Sequence, residues 1–169
     1  MTQPRSLKAR ALQWLAQREQ SRVELRRKLL PYALAQDVAA AAAGLPKPKP
    51  EPASSARVEA VLDWLEAERY LSPTRFAESR TRVRGPRFGN LKICRELKQH
   101  ALTLSPEALQ VLKDSEPKRA RLVRERKFVD WPADAVQRAR QVRFLESRGF
   151  TLDVILRVMR LGANHNDDG

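Results

Sequence analysis

Residues 133–161, ADAVQRARQVRFLESRGFTLDVILRVMRL, read as a helix, a stop and a second helix. Ala135, Ala139, Val142 and Leu145 recur at helical spacing and define an inward arc, leaving Arg140, Arg143 and Ser147 on the outward face. Gly149 followed by Phe150 is a helix stop with a hydrophobic contact beyond it. Thr151 then precedes a helix whose stripe is Val154, Ile155, Val158 and Leu161. The same order recurs upstream. Glu24-Leu25 through Lys28-Leu29, and Arg95-Glu96-Leu97 ending at Ala101-Leu102, align with the first helix of this stretch. Each is followed by a further helix, at 55–68 and 105–113, as 151–161 follows here.

These repeats predict nine helices in three units of three, each running long, long, short. Three helices of about a dozen residues bury too little surface alone, so such units stack against one another. The expected fold is therefore all-α: three tandem three-helix repeats, helix-turn-helix-like, forming an elongated curved array. The expected boundaries are 1–72, 73–114 and 115–161 for the repeats and 162–169 for a disordered tail. Punctuation agrees. Ser21 with Glu24 makes a capping box, and Ser72-Pro73 and Ser105-Pro106 read as a cap followed by the first helical residue. Leu7, Ala11, Trp14 and Leu15 share one face of the first helix, and Val58, Val61, Leu62 and Leu65 one face of the third.

The first repeat contains a Pro/Ala-rich linker insertion at about 35–55. Ala39–Ala43 leads to Gly44, after which Pro46, Pro48, Pro50 and Pro52 alternate with Lys47, Lys49 and Glu51. Alternating prolines remove backbone donors and favour extended polyproline II, a semi-rigid spacer; a Pro-rich ligand for another domain is the second reading.

The chain has 169 residues, enough for one to one and a half average domains. Of its apolar residues 22 are Ala and 22 Leu, against 14 Val and Ile together, a helical bias. No window approaches the length of a membrane span and Met1–Arg10 is too polar for a secretory signal, so a cytoplasmic protein with no membrane partner is expected. The single cysteine, Cys94, has no partner for a disulfide and no Cys or His at metal-ligand spacing, and reads as a small helix residue.

Lys and Arg outnumber Asp and Glu 33 to 20, a net charge of +13. The excess is +4 over residues 1–72, +5 over 73–114 and +6 over 115–161, with −2 in the tail. A basic field spread over the whole array suits a long, regular partner such as a nucleoprotein filament better than a compact substrate in one cleft. The densest runs are Arg80, Arg82, Arg84 and Arg87, and then Lys118, Arg119, Arg121, Arg124, Arg126 and Lys127. Lys92 and Arg95 share a polar face with Gln99 opposite Ile93 and Leu97. The candidate contact residues for a filament or for DNA are thus Arg80, Arg82, Arg84, Arg87, Lys92, Arg95, Lys118, Arg121, Arg124, Arg140 and Arg143. For any single one of them a solvated helix face is the better explanation; the repetition across units carries the case.

The third helices carry few base-reading side chains, in the second unit only Gln110 and Lys113, so contact with DNA is expected through phosphates without sequence readout. Most aromatic residues read as core, Trp14, Phe76 and Phe150 among them. Trp64 and Trp131 stay open as base-stacking platforms. Catalysis is not expected. His100 and His165 are the only histidines, there is no phosphate loop, no G-x-G-x-x-G and no H-E-x-x-H, and Asp63, Glu66 and Glu68 suit salt bridges on a basic protein. No metal or cofactor is expected.

The chain resembles the RecX family, regulators of the bacterial recombinase RecA, over about residues 6–161. The resemblance is carried by ALQWLAQREQSRVELRRKL (11–29), by VEAVLDWLEAERYLSPTRFAESRTRVR (58–84), by Gly89, Ile93, Glu96 and Leu97, and by VRFLESRGFTLDVILRVMR (142–160). S-x-x-E-L followed by Y-L-S-x-x-R-F-A-E-S in this order is its specific part. The resemblance implies three tandem three-helix repeats. It also implies binding to RecA and the RecA–DNA filament, in its groove or at its growing end, with suppression of strand exchange, ATP hydrolysis and the co-protease activity that triggers the SOS response. The expected form is a monomer. Direct binding to single- or double-stranded DNA, as a sequence-independent basic protein, is the alternative. The insertion, roughly Leu34–Ser55, departs from the family pattern and bears on how the first unit packs.

Overall fold

The structure is a computed structural model that describes residues 5–43 and 53–163. Among these residues it is all-α, with no strand. The helices are α1 (Leu7–Gln17), α2 (Arg22–Ala42), α3 (Ser54–Ala67), α4 (Pro73–Arg84), α5 (Asn90–Gln99), α6 (Pro106–Glu125), α7 (Ala135–Ser147) and α8 (Leu152–Ala163). They group into two compact units, Met1–Phe76 and Ala77–Gly169. No helix among the described residues is long and apolar enough to cross a membrane.

In the first unit the predicted stripes face inward. Val58, Val61, Leu62 and Leu65 are buried, as are Leu7 and Ala11, with Trp14 and Leu15 packed at the margin. Each fully buried Leu or Val contributes about 1.5–3 kcal/mol relative to exposure. The Ser21–Glu24 capping box is complete: Glu24 N–H donates to Ser21 Oγ at 3.1 Å, and Ser21 N–H to the Glu24 carboxylate at 3.4 Å. Outside this core, Arg22 bridges Glu59, Asp63 and Glu66 of α3 at 2.7, 2.6 and 2.8 Å, and Arg26 also grips Glu59. Asp63 and Glu66 are therefore ion-pair partners, as their residue type suggested.

α2 runs through Pro31 to Ala42, so residues 35–42, expected within the linker, are helical. The reason is a tertiary anchor. Asp37 accepts from Arg57 and from Ser54 Oγ, and Arg57 also donates to the Ala33 carbonyl at 2.9 Å, which binds the extra turns to α3. Alanine, the best helix former, fills what remains. The polyproline stretch, 44–52, lies outside the described residues, and so does most of the expected tail, 164–169.

The Arg26 hydrogen bond, with that of Arg22, holds the Glu59 carboxyl down at about 2, below its ordinary 4.5. A carboxylate whose folded pKa is depressed stabilises the fold above its unfolded pKa and loses that contribution as pH falls toward the folded value. The urea midpoint of the first unit should therefore stay level down to about pH 5 and drop between about pH 4.5 and 2. Glu59→Gln should flatten this acid limb. An unchanged limb in the variant would show that Glu59 does not carry it.

In the second unit α6 contradicts the expected helix count. Separate helices at 105–113 and after 115 are predicted, but α6 is continuous through Pro117, giving eight helices among the described residues. Ser115 does not cap a new helix: its hydroxyl donates to the Leu112 carbonyl within α6. Both halves are held by packing. Leu112 and Glu116 are buried toward α5, while Ala120 and Val123 enter a core with Leu145, Phe150, Ile155 and Met159. The expected boundary at residue 114 falls inside this helix.

The start of α5 joins these elements. Its N-cap is Gly89, which has no side chain to offer, and other segments satisfy the first N–H groups. Gly89 N–H donates to the Arg148 carbonyl at 3.0 Å, Asn90 N–H to the Glu116 carboxylate at 2.9 Å, and Leu91 N–H to the Gly149 carbonyl at 3.0 Å. α5 and α7 end alike. Ala101 and Gly149 have positive φ (57° and 82°), and Leu102 and Phe150 donate back to Leu97 and Leu145, five residues earlier.

Candidate functional site

The basic side chains of the second unit have three different environments, set by helical phase. One group clusters around aromatic rings. At the end of α4, Arg84 donates two hydrogen bonds to Glu96, at 2.7 and 2.6 Å, and lies 4.8 Å from the Phe88 ring centre. Lys92, in the first turn of α5, lies 4.3 Å from the same ring, and Arg148, at the end of α7, 5.7 Å from it. Arg148 also lies 5.2 Å from Phe144, which meets Phe128 edge-to-face at 5.3 Å, and Arg140 is 5.9 Å from Phe128. Arg84, Lys92 and Arg140 are thus drawn into one line of rings and cations, completed by Arg148 and Phe88, which were not singled out from sequence. Phe144 and Arg148 are one turn apart on α7, and that spacing is the signal that could have found the pair.

This line is electrostatically uneven. Glu96 is held below its ordinary carboxylate range, first by the Arg84 hydrogen bond and then by the charges of Arg84, Arg80 and Lys92. Arg80, 3.6 Å from Glu96, is drawn to the same carboxylate. Arg80 and Arg84 are consequently half-neutralised. Arg87, Arg95, Lys118 and Arg143 stand exposed. Arg143 lies three residues from Arg140 on α7, so the two share a face. Arg121 is exposed but pairs along α6 with Glu125 at 2.7 Å.

A second environment is a surface groove of about 580 Å³ between α4 and α6, which takes Arg82 into its wall together with Arg119 and Arg126. The third is the core, and it removes one expected contact residue. Arg124 is 1% exposed. Its guanidinium donates to Gln141 Oε1 at 2.9 Å and to the Asp130 carbonyl, and lies 3.8 Å from the Trp131 ring centre. Loss of water around it lowers its pKa, yet the group is hydrogen-bonded inside the unit and, buried there, cannot meet a partner. The inward arc of α7 changes accordingly: Gln141 is buried as the partner of Arg124, and Ala135 is exposed.

The two open stacking candidates are also occupied. Trp131 is covered by Arg124 and packed on the core, and Trp64 packs on the first-unit core with Lys8 at 4.0 Å and Tyr70 at 5.6 Å from its ring. Cys94 is half-buried on α5, and burial raises its thiol pKa. Among the described residues no three His, Cys, Asp or Glu side chains could hold a metal ion.

Fold and surface together define an all-helical, strongly basic tandem-repeat protein. The family model described as RecX, third three-helix domain, matches residues 114–159. The chain is 44% identical over 169 residues to the regulatory protein RecX of Ralstonia nicotianae, covering 99% of this chain and 94% of that one. It is also 44% identical to that of Herbaspirillum seropedicae, covering 88% and 85%, and 34% identical to that of Chromobacterium violaceum, covering 95% and 93%. The chain belongs to the RecX family of regulatory proteins.

Proposed function

We propose that the protein is a negative regulator of RecA that binds the RecA–DNA filament, in its groove or at its growing end, and suppresses strand exchange, ATP hydrolysis and co-protease activity. The observation that carries this reading is near-full-length similarity, 44% over 99% of the chain, to a protein named as a regulator. The charge distribution supports it. Cations on all three proposed repeats, 1–72, 73–114 and 115–161, match a partner that is long, periodic and anionic. The protein acts as a monomer in the cytoplasm, without a cofactor. Co-sedimentation with RecA-coated single-stranded DNA at about 150 mM salt tests the reading: the protein is expected in the pellet, and its absence there would overturn it.

Arg84, Lys92, Arg140 and Arg148 supply the filament-facing surface, with Arg87, Arg95, Lys118 and Arg143 as exposed outer contacts. Replacing both Arg140 and Arg143 by Glu should weaken filament binding about tenfold or more without lowering the melting temperature, because both side chains are solvent-exposed. Equal affinity in the double variant would show this face to be merely solvated. The second reading, sequence-independent binding to DNA alone, is favoured by the net charge of +13. It predicts a steep fall of naked-DNA affinity with salt.

A further inference from the structure

The groove between α4 and α6 is set apart from the basic–aromatic line by its chemistry. Its floor is apolar: Leu104, Ala108 and Leu112 line it, and Val111 and Leu122 stand beside them, 69% and 43% exposed. The residues that α6 and its C-cap contribute recur at 108, 111, 112, 115, 119, 122 and 126, one continuous face of the helix. From 108 to 126 that face is about 27 Å long. Isolated exposed apolar side chains are ordinary, but a helix-long apolar trough on a protein this charged is not.

The rim supplies the second half of the argument. Arg82, Arg119 and Arg126 border the trough against one carboxylate, Glu78. The Arg119 guanidinium donates to the Phe88 and Leu112 carbonyls at 2.8 and 3.0 Å, and Arg126 to the Pro86 carbonyl at 3.1 Å. Carbonyl oxygens fix the position of these cations without cancelling their charge. A hydrophobic trough with fixed cations at its edge is complementary to an amphipathic helix whose apolar stripe is flanked by carboxylates.

We propose that the α4–α6 groove is a docking site for an acidic amphipathic helix of the target protein, separate from the surface that meets the filament's phosphates. The regulator reading is needed only to make RecA the source of that helix. Leucines of the incoming helix displace water from Leu104, Val111 and Leu122, and its carboxylates pair with Arg82 and Arg126. Protein recognition and phosphate contact are then made by different side chains of the same unit.

The test uses the full-length protein and a fluorescein-labelled synthetic helix with Leu at positions i, i+4 and i+7 flanked by Glu, beside the same peptide with Lys for Glu. Fluorescence anisotropy should show the Glu peptide binding at least about tenfold more tightly than the Lys peptide. The double variant V111N/L122N, which leaves net charge unchanged, should weaken the Glu peptide by about tenfold or more while the melting temperature holds. It should also lose inhibition of RecA yet keep its affinity for naked DNA. Unchanged peptide affinity in V111N/L122N would overturn the proposal. So would a concentration-dependent dimer abolished by the same variant, which would make a second copy of this chain the occupant. Wild-type protein that takes up the peptide through Val111 and Leu122 but leaves RecA activity untouched would support the groove and overturn the regulator reading.

Discussion

Alanine at Gly149 is expected to lower the melting temperature of the second unit by roughly 15 °C, corresponding to a loss of about 3 kcal/mol. Two effects add. Gly149 sits at φ +82°, where an L side chain is strained, and a Cβ there would lie 2.6 Å from Lys92 Cβ and 2.8 Å from Lys92 N. Both near atoms belong to α5 close to its backbone, so relief requires moving that helix. Moving α5 would pull Leu91 N–H from the Gly149 carbonyl and Gly89 N–H from the Arg148 carbonyl. Gly89→Ala should act through the same joint. Gly89 has ordinary extended backbone, φ −80°, but its Cβ would lie 2.2 Å from the Gly149 carbonyl oxygen. Thermal melts of the two variants and the double variant check this, with less than additive loss expected because both changes open one contact. Melting temperatures within about 3 °C of wild type would refute the joint.

Arg124→Ala should cost about 3 kcal/mol, a large effect for a residue in a run of surface-type cations. The truncation leaves Gln141 Oε1 without its Arg124 donor and the Asp130 carbonyl with only the 3.2 Å bond from Gln141 Nε2, and uncovers the Trp131 face in a filled core. Arg124→Lys should recover little, because an ammonium cannot present two nitrogens to those acceptors while its plane covers an indole. Trp131 fluorescence during urea unfolding reads the change directly. A stable Arg124→Ala protein with weakened filament binding would instead return Arg124 to the contact surface.

Much of this fold is written in local spacing. The Val58, Val61, Leu62 and Leu65 stripe is buried as its period requires, and Ser21, Ser72 and Ser105 cap the helices they precede. These features depend on neighbours in sequence. Arg124 was obscured by composition, since it sits among Lys118, Arg119, Arg121, Arg126 and Lys127. Helical phase holds the missing signal: Glu116, Ala120 and Arg124 follow one another at four-residue steps, and all three are buried. The continuity of α6 was obscured by Ser115 and Pro117, a pair that imitates a helix start. The capping of α5 was not legible at all, because Glu116, Arg148 and Gly149 reach its N-terminus from other helices.

The candidate surface divides in the same way. Runs of cations identify which unit is basic, but not which cations meet. The line through Arg84, Phe88, Lys92, Arg148, Phe144, Phe128 and Arg140 draws on α4, α5, α7 and the loops beside them, and it exists only once Gly89 and Gly149 bring α5 and the end of α7 together. The joint that holds the fold therefore also sets the spacing of the charges offered to a partner.

The most direct measurement is a titration of the purified protein into RecA-coated single-stranded DNA, following ATP hydrolysis and co-protease cleavage, beside the same titration on naked DNA. Inhibition of both activities is expected at protein levels well below those that coat naked DNA. Inhibition that begins only when naked DNA is saturated would contradict the account and reduce the protein's effect to competition for phosphate.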